Sequence, residues 1–453
     1  ITVVKTIIND NGGAIDDPNA FGLKVNGGIV LDSATNAFDA GVEHTVSEDG
    51  LPFYAAGVWG GDCAANGTIT LSLAEDATCT ITNDDTDETS LTLRKSVVND
   101  NGGDALASEW TLTASDPNGI LDGFFGNDEG SGVSNGADFS AGIYDLSESD
   151  GPGGYAASEW VCTGNGTQMD GDTIALELGD VATCTITNND ISPTLTVINT
   201  IINDNGGTLI DPDAFGLLVN GGEVSDSVAN NFDAGTHTVS ATGVSGYAAS
   251  IWGGDCAPDG SITLALNQDA TCTISHNDIS PTLKVVKTII NNSGGSIIDE
   301  NIFGLKVDGN PVLHNAVNLF DAGDHTVSEA GLAGYQPGNW GGDCEPDGSI
   351  TLTLAQQATC TITNDDISPT LKVVKTIIND NGGTITDKNA FGLKVDGNVV
   401  QHNVTNSFNA GNHTVSEDGK PEYQPGAWGG DCNQDGTITQ ILRQVASCTI
   451  TND

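Results

Sequence analysis

One sequence pattern occurs five times in this chain of 453 residues. Each copy opens with a segment such as LKVVKTIINDNGG, continues through one such as HTVSE, and closes with one such as TCTITND. A fixed internal period of about ninety residues indicates tandem domains and overrides the domain count that length alone would suggest. We therefore predict five domains, at residues 1–85, 86–190, 191–278, 279–366 and 367–453.

The residues within each copy alternate between apolar and polar side chains, in short runs separated by Gly, Asn and Asp. This period of two is typical of β-strands, and no segment has sustained helical periodicity. The predicted fold class is all-β, with five tandem Ig-like β-sandwiches. Short junctions containing Pro193, Pro281 and Pro369 predict that the sandwiches form an elongated, semi-rigid rod.

Domain 2 differs from the other repeats because it contains a long insertion at residues 115–139. This loop includes the adjacent residues Phe124 and Phe125, which we expect to be exposed. Both a tolerated surface insertion and a contact patch for a partner are open interpretations of it.

Three positions are kept or lost together across the repeats. Four repeats carry a lysine in the first strand, a glutamate in the middle segment and an asparagine in the last strand. The sets are Lys5, Glu48 and Asn83; Lys95, Glu148 and Asn188; Lys287, Glu329 and Asn364; and Lys375, Glu417 and Asn452. In the third repeat all three change, to Asn199, Ala241 and His276. Because independent drift would rarely strike three separate positions in one repeat, we infer that the three residues act as a unit.

Strand parity predicts that the first-strand lysines point toward the core. Alternate residues of a strand point to opposite faces, so Lys95 lies on the same side as Leu91. Lys24 is a control, because its parity in the segment FGLKV places it opposite the apolar residues. Lys306 and Lys394 occupy the same position in later repeats. We expect these three lysines to be solvated.

A buried Lys–Glu–Asn set has the groups needed to form an isopeptide bond by itself. Burial drives a lysine toward its neutral, nucleophilic amine. A neighbouring glutamic acid can donate a proton to the asparagine carboxamide and relay protons as ammonia leaves. We therefore predict Lys–Asn bonds in domains 1, 2, 4 and 5, promoted by Glu48, Glu148, Glu329 and Glu417. The alternative is a buried Lys–Glu ion pair beside an uninvolved asparagine.

Ten cysteines occur as two per repeat. Pairing within each repeat predicts the disulfides Cys63–Cys79, Cys162–Cys184, Cys256–Cys272, Cys344–Cys360 and Cys432–Cys448. Metal binding is the weaker interpretation, because no CxxC motif or companion histidine accompanies the pairs. A disulfide in every domain indicates an oxidising, extracellular setting.

The charge balance argues against two classes of partner. Thirteen Lys and Arg residues against 62 Asp and Glu residues give a net charge of −49, which disfavours nucleic acid and anionic membranes. The chain has no apolar run of membrane-spanning length, so we expect no membrane insertion. We predict no cofactor. Calcium is a weak alternative at Asp10, Asp16 and Asp17, since Asn-Gly turns are also ordinary hairpin turns.

The joint motif resembles that of the collagen-binding-protein B-type domains, which are the prealbumin-like, SpaA-type modules of bacterial surface proteins and pili. The matching parts are the first-strand lysine, HTVSE with a following Gly/Pro–Tyr element as in SEDGLPFY (47–54), and the last-strand ITN. The resemblance covers all five repeats and implies prealbumin-like sandwiches. It also implies a glutamate-promoted Lys–Asn bond in four repeats and none in the third. A disulfide in each repeat is an addition to the family's usual pattern.

These expectations favour a structural role over catalysis. A bond between first and last strands would carry tension from the point where the chain enters a domain to the point where it leaves. We expect a structural subunit of an extracellular filament or pilus-like cell-surface fibre that associates head to tail, as a complete mature subunit or as a segment of a longer repeat protein. The alternative is the stalk of a cell-surface adhesin that binds a host or matrix ligand such as a glycan or matrix protein. An enzyme is not expected, because repeats 1, 4 and 5 are near-copies without a distinct catalytic cluster.

Overall fold

A computed structural model describes residues 1–86, 88–137 and 139–453. Asp87 in the first junction and Asp138 at the end of the domain 2 insertion lie outside the described residues. The chain divides into two compact units. One unit comprises Ile1–Val197, Leu218–Ser240 and Gly253–Cys272, and the other comprises Ile198–Leu217, Ala241–Trp252 and Thr273–Asp453. Each unit therefore contains two whole domains and part of domain 3.

Strands account for nearly all the regular structure, as the alternation of side chains predicts. The described residues form ten sheets, which make five β-sandwiches. The helices in these residues are five short 3₁₀ turns. No helix in the described ranges has the length and apolar character needed to cross a bilayer.

Each domain contains eight to ten strands and one 3₁₀ helix. Domain 1 has strands Thr2–Ile8, Lys24–Val25, Gly28–Ile29, Glu43–Ser47, Tyr54–Ala56, Gly60–Gly61, Thr68–Thr70 and Thr78–Asp85, and helix Pro18–Phe21. Domain 2 has strands Ser90–Val98, Thr111–Ser115, Phe124–Asn127, Val133–Ser134, Gly142–Glu148, Tyr155–Ala157, Val161–Gly164, Thr167–Gln168, Thr173–Leu176 and Val181–Asp190, and helix Ala107–Glu109. Domain 3 has strands Thr194–Ile202, Leu217–Val219, Gly222–Glu223, Ala229–Asn231, Gly235–Ala241, Tyr247–Ala249, Gly253–Gly254, Ser261–Leu264 and Asp269–Asp278, and helix Pro212–Phe215. Domain 4 has strands Thr282–Ile290, Leu305–Val307, Asn310–Pro311, Asn318–Leu319, Gly323–Glu329, Tyr335–Pro337, Gly341–Gly342, Ser349–Leu352 and Gln357–Asp366, and helix Glu300–Phe303. Domain 5 has strands Thr370–Ile377, Leu393–Val395, Asn398–Val399, Thr405–Ser407, Gly411–Glu417, Gly429–Gly430, Thr437–Gln440 and Val445–Asn452, and helix Lys388–Phe391.

The first and last strands of a domain lie side by side and run parallel. In domain 4, Lys287 is opposite Ile362 and Asn364 is opposite Ile289. Domains 1, 2 and 5 have the same parallel pairing. Glu329 ends a strand of the second sheet, where it is opposite Leu305. The lysine and the asparagine therefore come from one sheet, and the glutamate comes from the other.

Every second residue of the first strand enters the core between the two sheets. In domain 4, Leu283, Val285 and Lys287 are all buried. They belong to the same face because the side chains of a strand alternate. The lysine therefore lies at the end of an apolar row and not at the surface.

The ten cysteines form five disulfides, each within one domain. The pairs are Cys63–Cys79, Cys162–Cys184, Cys256–Cys272, Cys344–Cys360 and Cys432–Cys448. In domain 4 the bridge joins the Gly341–Gly342 region to the last strand, since Gly342 pairs with Cys360. Each bridge therefore ties the last strand to its antiparallel neighbour and leaves the first strand free of disulfides.

The domain 2 insertion differs from the prediction at one residue. Phe125 is 76% exposed. Phe124 is half-buried and packs edge-on against Phe139, with ring centroids 5.6 Å apart. Both phenylalanines lie in a strand that pairs with Thr111–Ser115, so parity sends one ring inward and the other outward. The prediction that Phe124 is exposed was wrong.

Neighbouring domains within a unit share a backbone hydrogen bond. An alanine N–H of one domain donates to a carbonyl in the turn after the first strand of the preceding domain. The pairs are Ala141 to Asn11 at 2.9 Å, and Ala234 to Asn101, Ala322 to Asn205 and Ala410 to Ser293 at 2.7 Å each. Adjacent domains therefore touch directly at these four places.

Candidate isopeptide-forming site

Four buried lysines project into the space between the sheets of their domains. The side chains of Lys5, Lys95, Lys287 and Lys375 have no exposed surface. By contrast, the side chains of Lys24 and Lys394 are 26% and 28% exposed and pair with Asp49 and Asp418 at the surface. Strand parity therefore separates the two kinds of lysine in the structure as it does in the sequence.

The glutamate of each set bridges the lysine and the asparagine. In domain 1, Lys5 Nζ donates to Glu48 Oε2 at 2.6 Å, and Asn83 Nδ2 donates to Glu48 Oε1 at 2.6 Å. In domain 5 the corresponding distances at Glu417 are 2.5 and 2.6 Å. Lys95 and Lys287 contact Glu148 and Glu329 in the same way, and Asn188 and Asn364 donate to these carboxylates at 2.8 and 2.7 Å. One carboxylate thus touches both nitrogens that an isopeptide reaction would change.

The side-chain carbonyl oxygen of each asparagine is buried. Asn83, Asn188, Asn364 and Asn452 are at most 3% exposed. Among the described residues, the Oδ1 atom of each has no hydrogen-bond partner. A buried carbonyl without a donor costs free energy. These carboxamides are therefore held through their nitrogen alone.

An aromatic ring lies beneath each lysine nitrogen. The distances from Nζ to the ring centroid are 4.2 Å for Lys5 over Phe21, 4.5 Å for Lys95 over Trp110, 4.5 Å for Lys287 over Phe303 and 4.3 Å for Lys375 over Phe391. The ring attracts a cation weakly but offers no hydrogen-bond acceptor to it. The glutamate is therefore the main partner of each ammonium group.

Burial and the glutamate act on these lysines in opposite directions. Desolvation lowers the pKa of all four lysines, and the hydrogen bond and charge of the glutamate raise it by a smaller amount. The pKa of each lysine therefore lies below its ordinary value. A lowered pKa makes the neutral, nucleophilic amine more accessible.

A family model for the prealbumin-like fold domain matches the chain five times, at residues 1–81, 86–186, 190–274, 278–362 and 366–450. The chain belongs to the prealbumin-like fold domain family. Each match begins near a first strand and ends in a last strand, so the same two strands bound every prealbumin-like repeat. No curated protein matches the chain.

Several solved structures are similar to the chain at low sequence identity. The TIE protein of Bacillus anthracis is 12% identical, with a TM-score of 0.39, and the match covers 80% of this chain and 73% of that one. Two B repeat units of the Staphylococcus aureus collagen-binding protein are 13% identical, with a TM-score of 0.17 and coverage of 81% and 99%. The major pilin protein T-13 of Streptococcus pyogenes is 10% identical, with a TM-score of 0.19 and coverage of 42% and 97%.

The third prealbumin-like domain contains a different buried polar pair. His276 Nδ1 is 2.8 Å from Asn199 Oδ1, and Asn199 Nδ2 donates to the carbonyl of Pro212 at 3.1 Å. Because the asparagine oxygen faces the imidazole, Nδ1 must carry the proton of a neutral ring. The imidazole stacks on Phe215, with centroids 4.1 Å apart, and desolvation lowers the pKa of His276. With Ala241 in the glutamate position, this domain has neither the nucleophile nor the proton relay.

The weak calcium candidates of the first prealbumin-like domain do not come together. Asp10 lies close to Asp84 and Asp85, within reach of a single ion. Asp17 accepts from the N–H of Asn19 and caps the 3₁₀ helix, and Asp16 is not part of the cluster around Asp10. The Asp85 carboxylate already accepts backbone N–H groups of Asp10, Asn11 and Gly13. The contacts of this cluster are those of a turn held by the buried Asp85 carboxylate.

Sequence reasoning did not identify two parts of the site. The first is the ring beneath each lysine, although the recurring Phe-Gly at the end of segments such as DPNAFG is a signal that could have revealed it. The second is an acceptor for the backbone N–H of each lysine. These acceptors are Asp32, Asp128, His314 and His402, which differ in type between repeats and so give no common motif.

Proposed function

We propose that this chain is a structural subunit of an extracellular filament or pilus-like cell-surface fibre, and that Lys–Asn isopeptide bonds lock four of its five domains. The observation that carries the proposal is the carboxylate bridge from Lys Nζ to Asn Nδ2, which occurs in four domains within a buried site. The disulfides support an extracellular or cell-surface location, because they persist in oxidising compartments.

The proposed reaction exchanges an ammonium for an amide. The lysine Nζ gives a proton to the glutamate and attacks the asparagine side-chain carbonyl carbon as a neutral amine. The bond between that carbon and Nδ2 breaks, and the glutamate passes protons from Nζ to the leaving nitrogen. In total, two protons leave Nζ and two arrive on the departing nitrogen. Lysine ammonium plus carboxamide therefore becomes a secondary amide plus an ammonium ion.

The position of the bond suits a load-bearing role. The two strands it would join are adjacent and parallel, and they are the strands through which the chain enters and leaves a domain. Tension applied to the chain would then pass through a covalent bond and leave the hydrogen-bond ladders unloaded. The direct backbone contacts between neighbouring domains within each unit support the same role. We expect no catalytic turnover, because each set can react once.

Intact mass spectrometry with peptide mapping tests the proposal. Each bond removes one ammonia, about 17 Da, from the mass that the sequence gives. We expect a deficit of four ammonias beyond the ten disulfide hydrogens, with linked peptides that pair Lys5 with Asn83 and the corresponding residues of domains 2, 4 and 5. A mass that departs from the sequence only by the disulfide hydrogens would contradict the proposal and leave four buried ion pairs.

An adhesin stalk is the second candidate, and the domain 2 insertion favours it. The insertion carries Ile120 at 82% and Phe125 at 76% exposure, and exposed apolar side chains of this size suit a protein contact. Fibres that grow with protein concentration would favour the filament subunit. A chain that stays monomeric and loses binding to a glycan or matrix protein on the change Phe125→Ser would favour the adhesin stalk.

A further inference from the structure

The backbone N–H of each reactive lysine donates to a side chain from another part of its domain. In domains 1 and 2 the acceptor is a carboxylate: Lys5 N–H is 2.7 Å from Asp32 Oδ1, and Lys95 N–H is 3.0 Å from Asp128 Oδ2. In domains 4 and 5 it is an imidazole: Lys287 N–H is 3.0 Å from His314 Nδ1, and Lys375 N–H is 2.9 Å from His402 Nδ1. The same backbone group thus has an acceptor in all four domains, but of two chemical types.

In three domains this acceptor is fixed by the helix that also holds the aromatic ring. Asn19, Asn301 and Asn389 lie in the 3₁₀ helices, and their side-chain oxygens accept the backbone N–H of Asp32, His314 and His402 at 2.8, 2.8 and 2.6 Å. The same helices end at Phe21, Phe303 and Phe391, the rings beneath the lysine nitrogens. One short helix therefore sets both the ring under the ammonium and the residue that holds the lysine backbone.

The acceptor of domain 2 is fixed in a different way. Asp128 is 2% exposed, and its Oδ1 accepts the N–H groups of Gly130 and Gly132 at 2.8 and 2.9 Å. Its Oδ2 lies 3.3 Å from Arg94 Nε. Two different local structures thus place an acceptor at the same lysine N–H.

We propose that Asp32, Asp128, His314 and His402 are positioning residues for the Lys–Asn reaction, and that the two histidines make the reaction sensitive to mild acid in domains 4 and 5 alone. This inference rests on the proposed function, because it concerns the same bond. Each residue acts through the lysine backbone and does not touch the reacting atoms. It fixes the first strand at the residue whose side chain must reach the asparagine.

The acid sensitivity follows from what each acceptor can do after protonation. Nδ1 accepts the lysine N–H only while it carries a lone pair, and an imidazolium has no acceptor. Histidine is the side chain type whose charge changes between about pH 5 and 8, whereas aspartate side chains ionise at lower pH. Lowering the pH from 7.5 to 5.5 should therefore remove the contact in domains 4 and 5 and keep it in domains 1 and 2.

Charged groups near His314 and His402 influence how strongly the reaction in domains 4 and 5 responds to acid. Lys388, in the helix packed against His402, adds to burial in lowering the pKa of His402. Glu300 occupies the matching helix position in domain 4. Lys375 lies on the strand that His402 contacts, and Glu417 pairs with this lysine from the other sheet. We therefore expect a fall of up to about tenfold in the reaction rate, and a smaller fall in domain 5, where the imidazole resists protonation.

Refolding of unreacted chain measures this difference. The whole chain is produced as inclusion bodies and dissolved in urea, and its mass is measured to confirm that no ammonia has been lost. It is then diluted into refolding buffer at pH 7.5 or 5.5. Linked and unlinked peptides are then quantified over time for each domain. The quantity compared is the rate in domains 4 and 5 divided by the rate in domains 1 and 2. This ratio cancels effects that all four domains share, including lysine deprotonation and disulfide formation.

Variants of one domain separate positioning from folding. His402→Asn keeps a neutral acceptor that does not titrate. The reaction rate of domain 5, divided by that of domains 1 and 2, should therefore be the same at both pH values. His402→Ala removes the acceptor and should slow domain 5 at both. Asp32→His should transfer the acid sensitivity to domain 1. Domains 2 and 4 are the internal reference in each case, because their residues are unchanged.

The outcomes distinguish this inference from the function on which it rests. A rate ratio that falls at pH 5.5, and that His402→Asn restores for domain 5 only, supports the inference. A ratio that stays constant, or a fall that persists in His402→Asn, overturns the inference while the isopeptide bonds stand. Ammonia loss in no domain at either pH overturns the proposed function and this inference together.

Discussion

Domains 3 and 4 share a fold and differ in how they fill the same buried position. Domain 4 holds an ammonium, a carboxylate and a carboxamide between its sheets. Domain 3 holds a neutral Asn199–His276 pair instead, with Ala241 where the carboxylate would be. In each domain the phenylalanine at the end of the 3₁₀ helix is kept, beneath Lys287 in one and stacked on His276 in the other.

The difference teaches that the sandwich does not need the charged set. An ammonium and a carboxylate are costly to bury, and a neutral hydrogen-bonded pair avoids that cost. Domain 3 is therefore the simpler solution if stability is the only requirement. Four domains that keep the costly solution point to a use for it beyond folding, and the proposed bond supplies that use.

The largest expected effect of this difference is mechanical. Under tension, domain 3 should unfold while the four locked domains stay intact, because it alone lacks the proposed bond. About 70 residues of its 194–278 segment lie outside the disulfide loop, so unfolding should lengthen the molecule by on the order of 200 Å. Single-molecule force spectroscopy on the full chain should record one such event per molecule. Repeated events of similar length would show that the other domains are not locked.

Glu417→Gln should make domain 5 resemble domain 3. Without the proton relay the bond should not form, so the mass deficit relative to the variant's own sequence should be smaller than the parent's by one ammonia, about 17 Da. The variant also strands the buried ammonium of Lys375, which should cost on the order of 3–5 kcal/mol in the free energy of unfolding of domain 5. Intact mass and hydrogen exchange of domain 5 measure the two effects.

Asp418→Asn is the matched control for this change. It removes the partner of Lys394, in an ion pair whose aspartate side chain is 63% exposed. A surface pair of this kind contributes at most about 1 kcal/mol, and the mass deficit should be unchanged. If both variants kept the bond, the glutamate would not be the promoting residue.

The reverse change should convert domain 3 into a locked domain. Asn199→Lys, Ala241→Glu and His276→Asn together restore the set above Phe215, the ring that is already in place. The triple variant should lose a further ammonia, about 17 Da, and yield a peptide that links residues 199 and 276. Closing a loop of this length should stabilise the domain by about 4 kcal/mol. The double variant that keeps Ala241 should not react, and a bond in it would show that the glutamate is dispensable.

The sequence alone was sufficient to predict much of this comparison. Strand parity places Lys95 beside Leu91, and the joint change at three positions identifies domain 3 as the exception. Both signals come from regular strands, whose period converts residue number into direction. The five sandwiches follow from the same alternation.

The remaining parts of the site come from irregular segments, which have no period. Asp32 lies 27 residues from Lys5, in a loop whose path the sequence pattern does not determine. Its counterpart in domain 5 is His402, so the residue type does not recur either. The exchange of Lys and Asn for Asn and His is visible in the sequence. The position of the imidazole above the aromatic ring, where the other domains have an ammonium, is not. These contacts depend on tertiary packing between a loop, a helix and a strand.

The smallest expected effect is a difference in acid sensitivity between the two domains. Desolvation lowers the pKa of His276. As the pH falls, this histidine is therefore protonated in the unfolded chain before it is protonated in folded domain 3. Its stability is therefore full above the ordinary histidine pKa and falls as the pH drops below it, by at most about 1.4 kcal/mol per pH unit. In domain 4, burial opposes protonation of His325, but the Asp308 carboxylate raises the pKa of this histidine overall. That contribution has the opposite sign and grows as the pH falls.

Hydrogen exchange at pH 7.5 and 5.5, corrected for intrinsic rates, measures the two domains within one molecule. Domain 3 should lose protection relative to domain 4 as the pH falls. His276→Gln should remove the loss, because glutamine does not titrate. A loss that persists in this variant would assign the acid sensitivity to another group. The Asn199–His276 pair would then not be its cause. A loss that disappears would show that domain 3 avoids a buried ammonium but contains a buried base. The neutral Asn199–His276 pair would then cost less to bury than the charged set only at a pH where the imidazole stays unprotonated.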